Sequence, residues 1–332
     1  MTATGAAQAG LHEAAVAAVR RQFGREVFVR AVVEISNFCR ENCAYCGMRR
    51  DHRALHRYRA RPETIAELLI HHRPASVTDV NLQAGEDPRA IREVVLPLIE
   101  TLRRETSLGI SVCLGTLTPD LYGALQQAGA AIYIMKFECA DAQRYHRLEA
   151  PGSLDERVRH VRLLAEGGWF VSSGFIAGLP GQTPEELLKN FELARALPIH
   201  GCSVSPFIPG NDTPLANEPA ANPDWTVNCM AALRLMRPDW VIPAVSALNL
   251  METDGYRRGL RAGANLVTIN LTPEEVRGDY VIYKRGRFIM TEERALAAMA
   301  AEGLTPSTRR LADFYRDGAG LGAVPAAISL AK

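Results

Sequence analysis

The chain has 332 residues, 47% hydrophobic and 23% charged, with 38 Lys and Arg against 37 Asp and Glu; that is the balance of a globular protein able to bury a sizeable core. A formal net charge of +1, no long run of like charge, and no stretch near the roughly 20 apolar residues of a spanning helix argue against nucleic acid and membrane as partners. Seven cysteines, three of them within eight residues, suit a thiolate-bound metal in a reducing, cytoplasmic setting better than a disulfide framework.

An Ala-rich amphipathic start, residues 1–27, precedes apolar runs that alternate with helical patterns at a period of about 25 to 40 residues. Candidate strands fall at 27–35, 76–83, 109–115, 131–137, 169–177, 201–207, 240–245 and 264–270. Between them, 62–72, 89–105, 154–167 and 184–196 carry apolar residues at helical spacing among charges, enough for crossover helices. Eight strands so connected predict an α/β fold, a (β/α)8 TIM-type barrel over 28–270 with its chemistry on the loops at the strands' C-terminal ends. Residues 271–332 form a C-terminal appendage: a charged stretch with Gly and Tyr at 277–288, one helix at 291–302, and an Ala/Gly-rich tail. From Gly318 that tail has few large apolar side chains and is expected to be loosely ordered.

Directly after the first strand stand Cys39, Cys43 and Cys46, a C-x3-C-x2-C loop. Three thiolates this close can wrap one face of an iron–sulfur cubane and leave one iron open to a substrate or cosubstrate. A three-cysteine zinc site completed by His52 or His56, and plain buried thiols, are the alternatives. The loop resembles that of the radical S-adenosylmethionine (SAM) superfamily. The resemblance implies a [4Fe–4S] cluster on the three cysteines and SAM on the unique iron. It further implies reductive cleavage of SAM to a 5′-deoxyadenosyl radical, with Tyr45 as the aromatic near cluster and adenine.

Other strand ends carry further motifs. After the second strand comes Gln83-Ala84-Gly85-Glu86-Asp87, whose small residues permit close approach of backbone to a ligand and which otherwise reads as an acidic helix start. It resembles the family's Gly-Gly-Glu segment, which implies that Gly85 and Glu86 receive the methionyl amine. After the fourth strand, Glu138 can accept hydrogen bonds from a ribose or ammonium group, and Lys136 can pair a carboxylate; a strand-end ion pair is the plain alternative. By resemblance Glu138 contacts SAM and Arg157 binds its carboxylate. Gly178, after the fifth strand, and Phe207 with Ile208, after the sixth, offer close backbone approach and apolar surface for an adenine.

The segments 43–51, 83–88, 178–183, 206–209 and 212–215 resemble the group containing biotin synthase, methylornithine synthase and the [FeFe]-hydrogenase maturase HydE, and HydE most. That likeness implies HydE-like cofactor maturation on a small-molecule or carrier-bound substrate, with a reduced flavodoxin or ferredoxin-type electron donor. Sulfur insertion of the biotin or lipoyl synthase kind is an alternative that needs a second cluster. Cys113 matches one of its ligands, and Cys139 and Cys202 lie on predicted strands able to point inward, but the positions around Leu82 and Ser172 carry no cysteine and strand seven no arginine. A carbon-skeleton mutase like methylornithine synthase is another alternative. A cluster carrier without radical chemistry is a further one, against which the strand-end motifs count. Asn249, Thr268 and Asn270 are candidates for polar substrate contacts, and Tyr280 or Tyr283 for closing the barrel mouth.

Overall fold

The computed structural model describes residues 1–284, 286 and 288–318; the tail expected to be loose lies outside them from residue 319 on. Seven strands form one parallel sheet: β1 (Glu26–Ser36), β2 (Asp79–Ala84), β3 (Gly109–Cys113), β4 (Ile132–Ile134), β5 (Phe170–Ala177), β6 (Gly201–Pro206) and β7 (Leu266–Asn270). Their spatial order is β6-β5-β4-β3-β2-β1-β7. The gap between β7 and β6 is spanned by residues 241–243, through single parallel bridges from Val241 to Gly201 and from Pro243 to Leu266. The fold is thus the expected (β/α)8 barrel, with its seventh stave reduced to two bridges. Pro243 has no N–H to donate, which denies that stave a continuous ladder.

The helices Pro62–His71, Leu154–Glu166 and Pro184–Ala196 match their predicted segments. The one expected at 89–105 starts at Pro88 and runs to Glu105, widening over Ile91–Val95, where Pro97 cannot donate back to the preceding turn. The N-terminal helix Gly5–Phe23 packs on Pro223–Met236, tied by Gln8 to Asp224 (3.0 Å) and His12 to Asn228 (2.9 Å). Beside it Arg234, fully buried, donates to the carbonyls of Gly263, Pro238 and Trp240 and to Asn265 Oδ1, all within 2.8 Å.

Side chains alternate across the barrel wall. Along β1, Val29, Ala31, Val33 and Ile35 pack outward into the main core, while Arg30, Val32 and Glu34 face the interior. The lower interior is a plug of Phe28, Ile132, Ile134, Val241 and Leu266 closed by Leu311, Phe314 and Tyr315. Those last residues belong to the helix Leu311–Arg316, which the sequence reading missed, as it missed β8 (Thr305–Pro306), the two-residue strand beside the start of β1. The appendage therefore reaches both ends of the barrel. Among the described residues no helix is long and apolar enough to cross a membrane.

Candidate functional site

The cysteine loop leaves β1 at Ser36 and is fixed by buried polar groups. Ser36 Oγ donates to Asp87 Oδ2 (2.7 Å), and Asp87 also takes a forked pair from Arg59 (2.7 and 3.0 Å). Asn37 Nδ2 donates to the carbonyls of His56 (2.8 Å) and Asp279 (2.7 Å). Gly85 lies against this loop so tightly that a Cβ there would stand 2.2 Å from Phe38 O and 2.8 Å from Cys39 Cβ. The small residue at this position is therefore required by the backbone that carries Cys39.

Cys43 is buried, Cys39 and Cys46 partly so. Burial pushes all three thiols up, Cys43 well above its ordinary value and Cys46 to about 12, so ligation has to displace their protons. Backbone amides favour the charged sulfurs: Glu86 N–H donates to Cys39 Sγ (3.4 Å), Glu41 N–H to the same sulfur and Met48 N–H to Cys46. The imidazoles proposed for a zinc site are engaged elsewhere. His52 Nδ1 donates to Gly47 O (2.6 Å) and its Nε2 lies 3.3 Å from Asp212, while His56 Nδ1 lies 2.8 Å from Asp279. Among the described residues no three Cys, His, Asp or Glu side chains converge as ligands of a single ion. Three thiols on one loop with amide donors and no committed fourth ligand fit a [4Fe–4S] cluster better than zinc.

A cavity of about 350 Å³ runs down the barrel interior, and Glu138 on its wall acts electrostatically on Cys43 and Cys46. Lys136, Glu138 and Arg157 line it together, with Cys113 and Gly115. Glu138 has φ 59°, a left-handed backbone that costs a non-glycine residue about 1 to 3 kcal/mol. Two hydrogen bonds to β5 hold it there, Glu138 N to Gly174 O (3.1 Å) and Ile176 N to Glu138 O (2.9 Å). Lys136 Nζ donates to Ser205 Oγ (3.2 Å); burial pulls this ammonium down, but Glu138 and neighbouring groups outweigh it and leave it above its ordinary value. Arg157 is 5% exposed. Its Nη1 donates to Thr116 Oγ1 (2.6 Å), while its Nε is buried without a partner, as a group awaiting a ligand carboxylate would be. Burial pulls the guanidinium down; Tyr145, Glu86, Glu138 and Tyr45 more than compensate.

Glu86 does not line the cavity. It accepts from Thr116 N (2.9 Å), from Arg40 Nε (3.2 Å) and Nη2 (3.1 Å), and meets Arg157 Nη1 at 3.5 Å. Its carboxylate thus ties the cysteine loop to the loop after β3 and to Arg157. Gly115, at φ +76°, leaves it room: a Cβ there would stand 2.0 Å from Glu86 Cγ. The remaining expected contacts also lie off the cavity wall. Phe207 packs with Cys139, Tyr145, Ile176 and Leu179 in an apolar cluster on which Tyr45 rests, and Ile208 is 2% exposed. Gly178, at φ +77°, presses on Ala221, 2.4 Å from where its Cβ would be. Tyr45 thus ties the cysteine loop to this apolar cluster.

The cysteines considered for a second cluster do not assemble. Cys113 faces the cavity. On β6, however, Ser203 and Ser205 face inward, so by strand alternation Cys202 points into the outer core, where it is found. Cys139 lies beyond the short β4, inside the apolar cluster. Of the polar picks, Thr268 and Asn270 line the cavity and Asn249 does not. Tyr280 and Tyr283 both line it, on a stretch pinned across the mouth by Gly47 N to Ile282 O (2.9 Å) and Lys284 N to Pro209 O (2.6 Å). The sequence reading missed Arg30, Glu34, Asn81, Gln83, Ser203 and Ser205 on the cavity wall. Their signal was the polar residue at every second position of otherwise apolar strands.

The radical SAM superfamily model matches residues 33–194. Over 266 residues the chain is 34% identical to the [FeFe] hydrogenase maturase subunit HydE of Thermotoga maritima, an alignment covering 80% of this chain and 76% of that protein. The chain belongs to the radical SAM superfamily. It is also 28% identical over 301 residues to 3-methylornithine synthase of Methanosarcina barkeri, covering 88% of this chain and 83% of that one. The crystal structure of a methylornithine synthase superposes with a TM-score of 0.84 at 25% identity, over 95% of this chain and 93% of the other. As a radical SAM enzyme the protein uses a [4Fe–4S] cluster and SAM, and needs a reductant and a small substrate.

Proposed function

We propose that Cys39, Cys43 and Cys46 hold the cluster, that SAM binds between it and Lys136, Glu138 and Arg157, and that the enzyme performs a HydE-like maturation step on a small substrate inside the barrel. The bound pair supplies one-electron cleavage of SAM to a 5′-deoxyadenosyl radical that abstracts hydrogen from the substrate or adds to it. The amides of Glu41, Glu86 and Met48 hold charge on the sulfurs, and Arg157 receives a carboxylate on its open Nε. Glu138 accepts N–H or O–H donors, and the stretch bearing Tyr280 and Tyr283 keeps water from the chamber. The observation that carries this reading is one cavity lined by Lys136, Glu138 and Arg157, whose wall residue Ile282 accepts from Gly47 N, the residue after Cys46.

The HydE-like role draws support from the 34% identity, and sulfur insertion loses support because Cys139 and Cys202 stand away from the cavity. A methylornithine-synthase-like rearrangement is the second reading, favoured by the 0.84 superposition. A reduced flavodoxin or ferredoxin-type protein is the proposed electron donor. The two readings separate in a cell-free [FeFe]-hydrogenase activation mixture in which this protein replaces the maturase subunit. Activation that depends on its addition supports the first; none, from a protein that cleaves SAM, favours the second.

A further inference from the structure

Gly47, the residue after Cys46, sits where three stretches of backbone meet. One is its own loop; another is the strap, residues 279–284, whose Tyr280 and Tyr283 line the cavity. The Gly47 N–H donates to Ile282 O (2.9 Å). A Cβ built on Gly47 would stand 2.5 Å from Val281 O and 3.4 Å from Ile282 O, and the three atoms nearest to it all belong to the strap. From the third stretch, a Cβ on Gly210 would lie 2.5 Å from Gly47 N and 2.9 Å from Ile282 O. No larger residue fits at Gly47 unless the loop or the strap moves.

The strap has no helix or strand of its own, so its place is set by what it is tied to. Asn37 Nδ2 donates to Asp279 O (2.7 Å), His56 Nδ1 meets the Asp279 carboxylate at 2.8 Å, and Gly47 N holds Ile282 O. These three anchors lie on the cysteine loop and the segment that follows it, while Lys284 N reaches Pro209 O (2.6 Å) on the other side. The loop is just as irregular, with turns and no helix or strand over residues 37–53. Ligation of three thiolates is a strong constraint on such a loop, because the binding energy of a metal centre goes into ordering the chain around it. A strap that rests on the loop inherits that order.

We propose that Gly47 is a positioning residue that couples the cysteine loop to closure of the chamber: the strap seats when the three cysteines are ligated and lifts when they are not. The chamber is then sealed in protein that carries its cluster and open in protein that lacks it. Binding couplings are reciprocal, so a strap held off its seat loosens the cluster by the same factor. The proposal rests on the reading of Cys39, Cys43 and Cys46 as cluster ligands, and goes further by naming what their ligation does to the mouth.

The test follows hydrogen–deuterium exchange of the full chain by mass spectrometry, without oxygen, in the peptides carrying the amides of Gly47 and Lys284. In the wild type, reconstitution with iron and sulfide should slow both by about tenfold. Gly47→Ala keeps every thiol and sets a methyl against Val281 O. After reconstitution its Lys284 amide should exchange as fast as in cluster-free wild type, and its iron should pass to EDTA about tenfold faster. His56→Ala, which removes an exposed tether and leaves the loop backbone alone, should move both readouts the same way by a smaller factor. Peptides of β5 should exchange alike in all three proteins; loosening there as well would make Gly47 a merely structural residue. Wild-type exchange at Lys284 that ignores the cluster, or variants that exchange and release iron as the wild type does, would overturn the coupling and leave the ligand assignment standing. A wild type that takes up no iron would overturn the ligand assignment, and the coupling with it.

Discussion

Replacing Glu86 by Gln keeps the side chain's shape and lets it go on accepting the Thr116 N–H, so the change isolates the carboxylate's charge. Two arginines lose their partner. Arg40 is 52% exposed, and an ion pair of that kind contributes about 0 to 1 kcal/mol. Arg157 is 6% exposed on its side chain, and removing one member of a buried pair costs about 3 to 5 kcal/mol. The 3.5 Å separation and the nearby Glu138 temper that cost, which leaves about 2 to 3 kcal/mol for the substitution as a whole. In a barrel of this size 1 kcal/mol moves the melting temperature by about 2 to 4 °C, so Glu86→Gln should melt about 5 to 10 °C lower. Thermal melts of reconstituted protein, paired with SAM titrations, check this. If the variant melted with the wild type while SAM affinity collapsed, Glu86 would be a ligand contact and its bracing role would be refuted.

Glu138→Gln should do the reverse, weakening SAM affinity by about 1 to 3 kcal/mol with little change in melting temperature; a collapse of stability with unaltered affinity would make Glu138 a structural residue. Asp79 stands near 6 in the folded protein against an ordinary 3.8. With the folded value raised, its contribution to stability is complete below pH 3.8 and is lost as the pH rises through 6, about 3 kcal/mol in all. Asp79→Asn keeps an acceptor for Leu311 N–H and should flatten the stability profile between those values; an unchanged profile in denaturant titrations would contradict the assignment. Changing Cys39, Cys43 and Cys46 together to Ala should reduce bound iron to essentially nothing, because Cys113 has no companion cysteine in the cavity. Residual iron–sulfur absorption, lost when Cys113 is also replaced, would restore the sulfur-inserting alternative.

The barrel was legible because its strands are apolar on the outer face and bounded by turn residues, a pattern local enough to read from sequence. What escaped was short or decided by tertiary contact. β8 and the helix Leu311–Arg316 are too brief to establish a period in an Ala/Gly-rich region, and Pro243 thinned a stave that its apolar neighbours had suggested. The cysteine loop, Glu138 and Arg157 stand out in the sequence as motifs. The packing around Gly85, Glu86 and Gly178 does not, since it depends on which loop folds over which. Arg30 was hidden for another reason: one charge inside an apolar run reads as an interruption until the inner face of the barrel is known to be polar.

The central claim is that the three-thiol loop and the neighbouring cavity make a radical SAM centre. The most direct measurement is 5′-deoxyadenosine release from SAM by the anaerobically reconstituted, reduced protein, run beside the Cys39→Ala, Cys43→Ala, Cys46→Ala triple variant. The wild type should release it and the variant should not. Release by the variant would contradict the cluster assignment, and a wild type that carries its cluster yet leaves SAM intact would contradict the account as a whole, leaving an iron–sulfur carrier in its place.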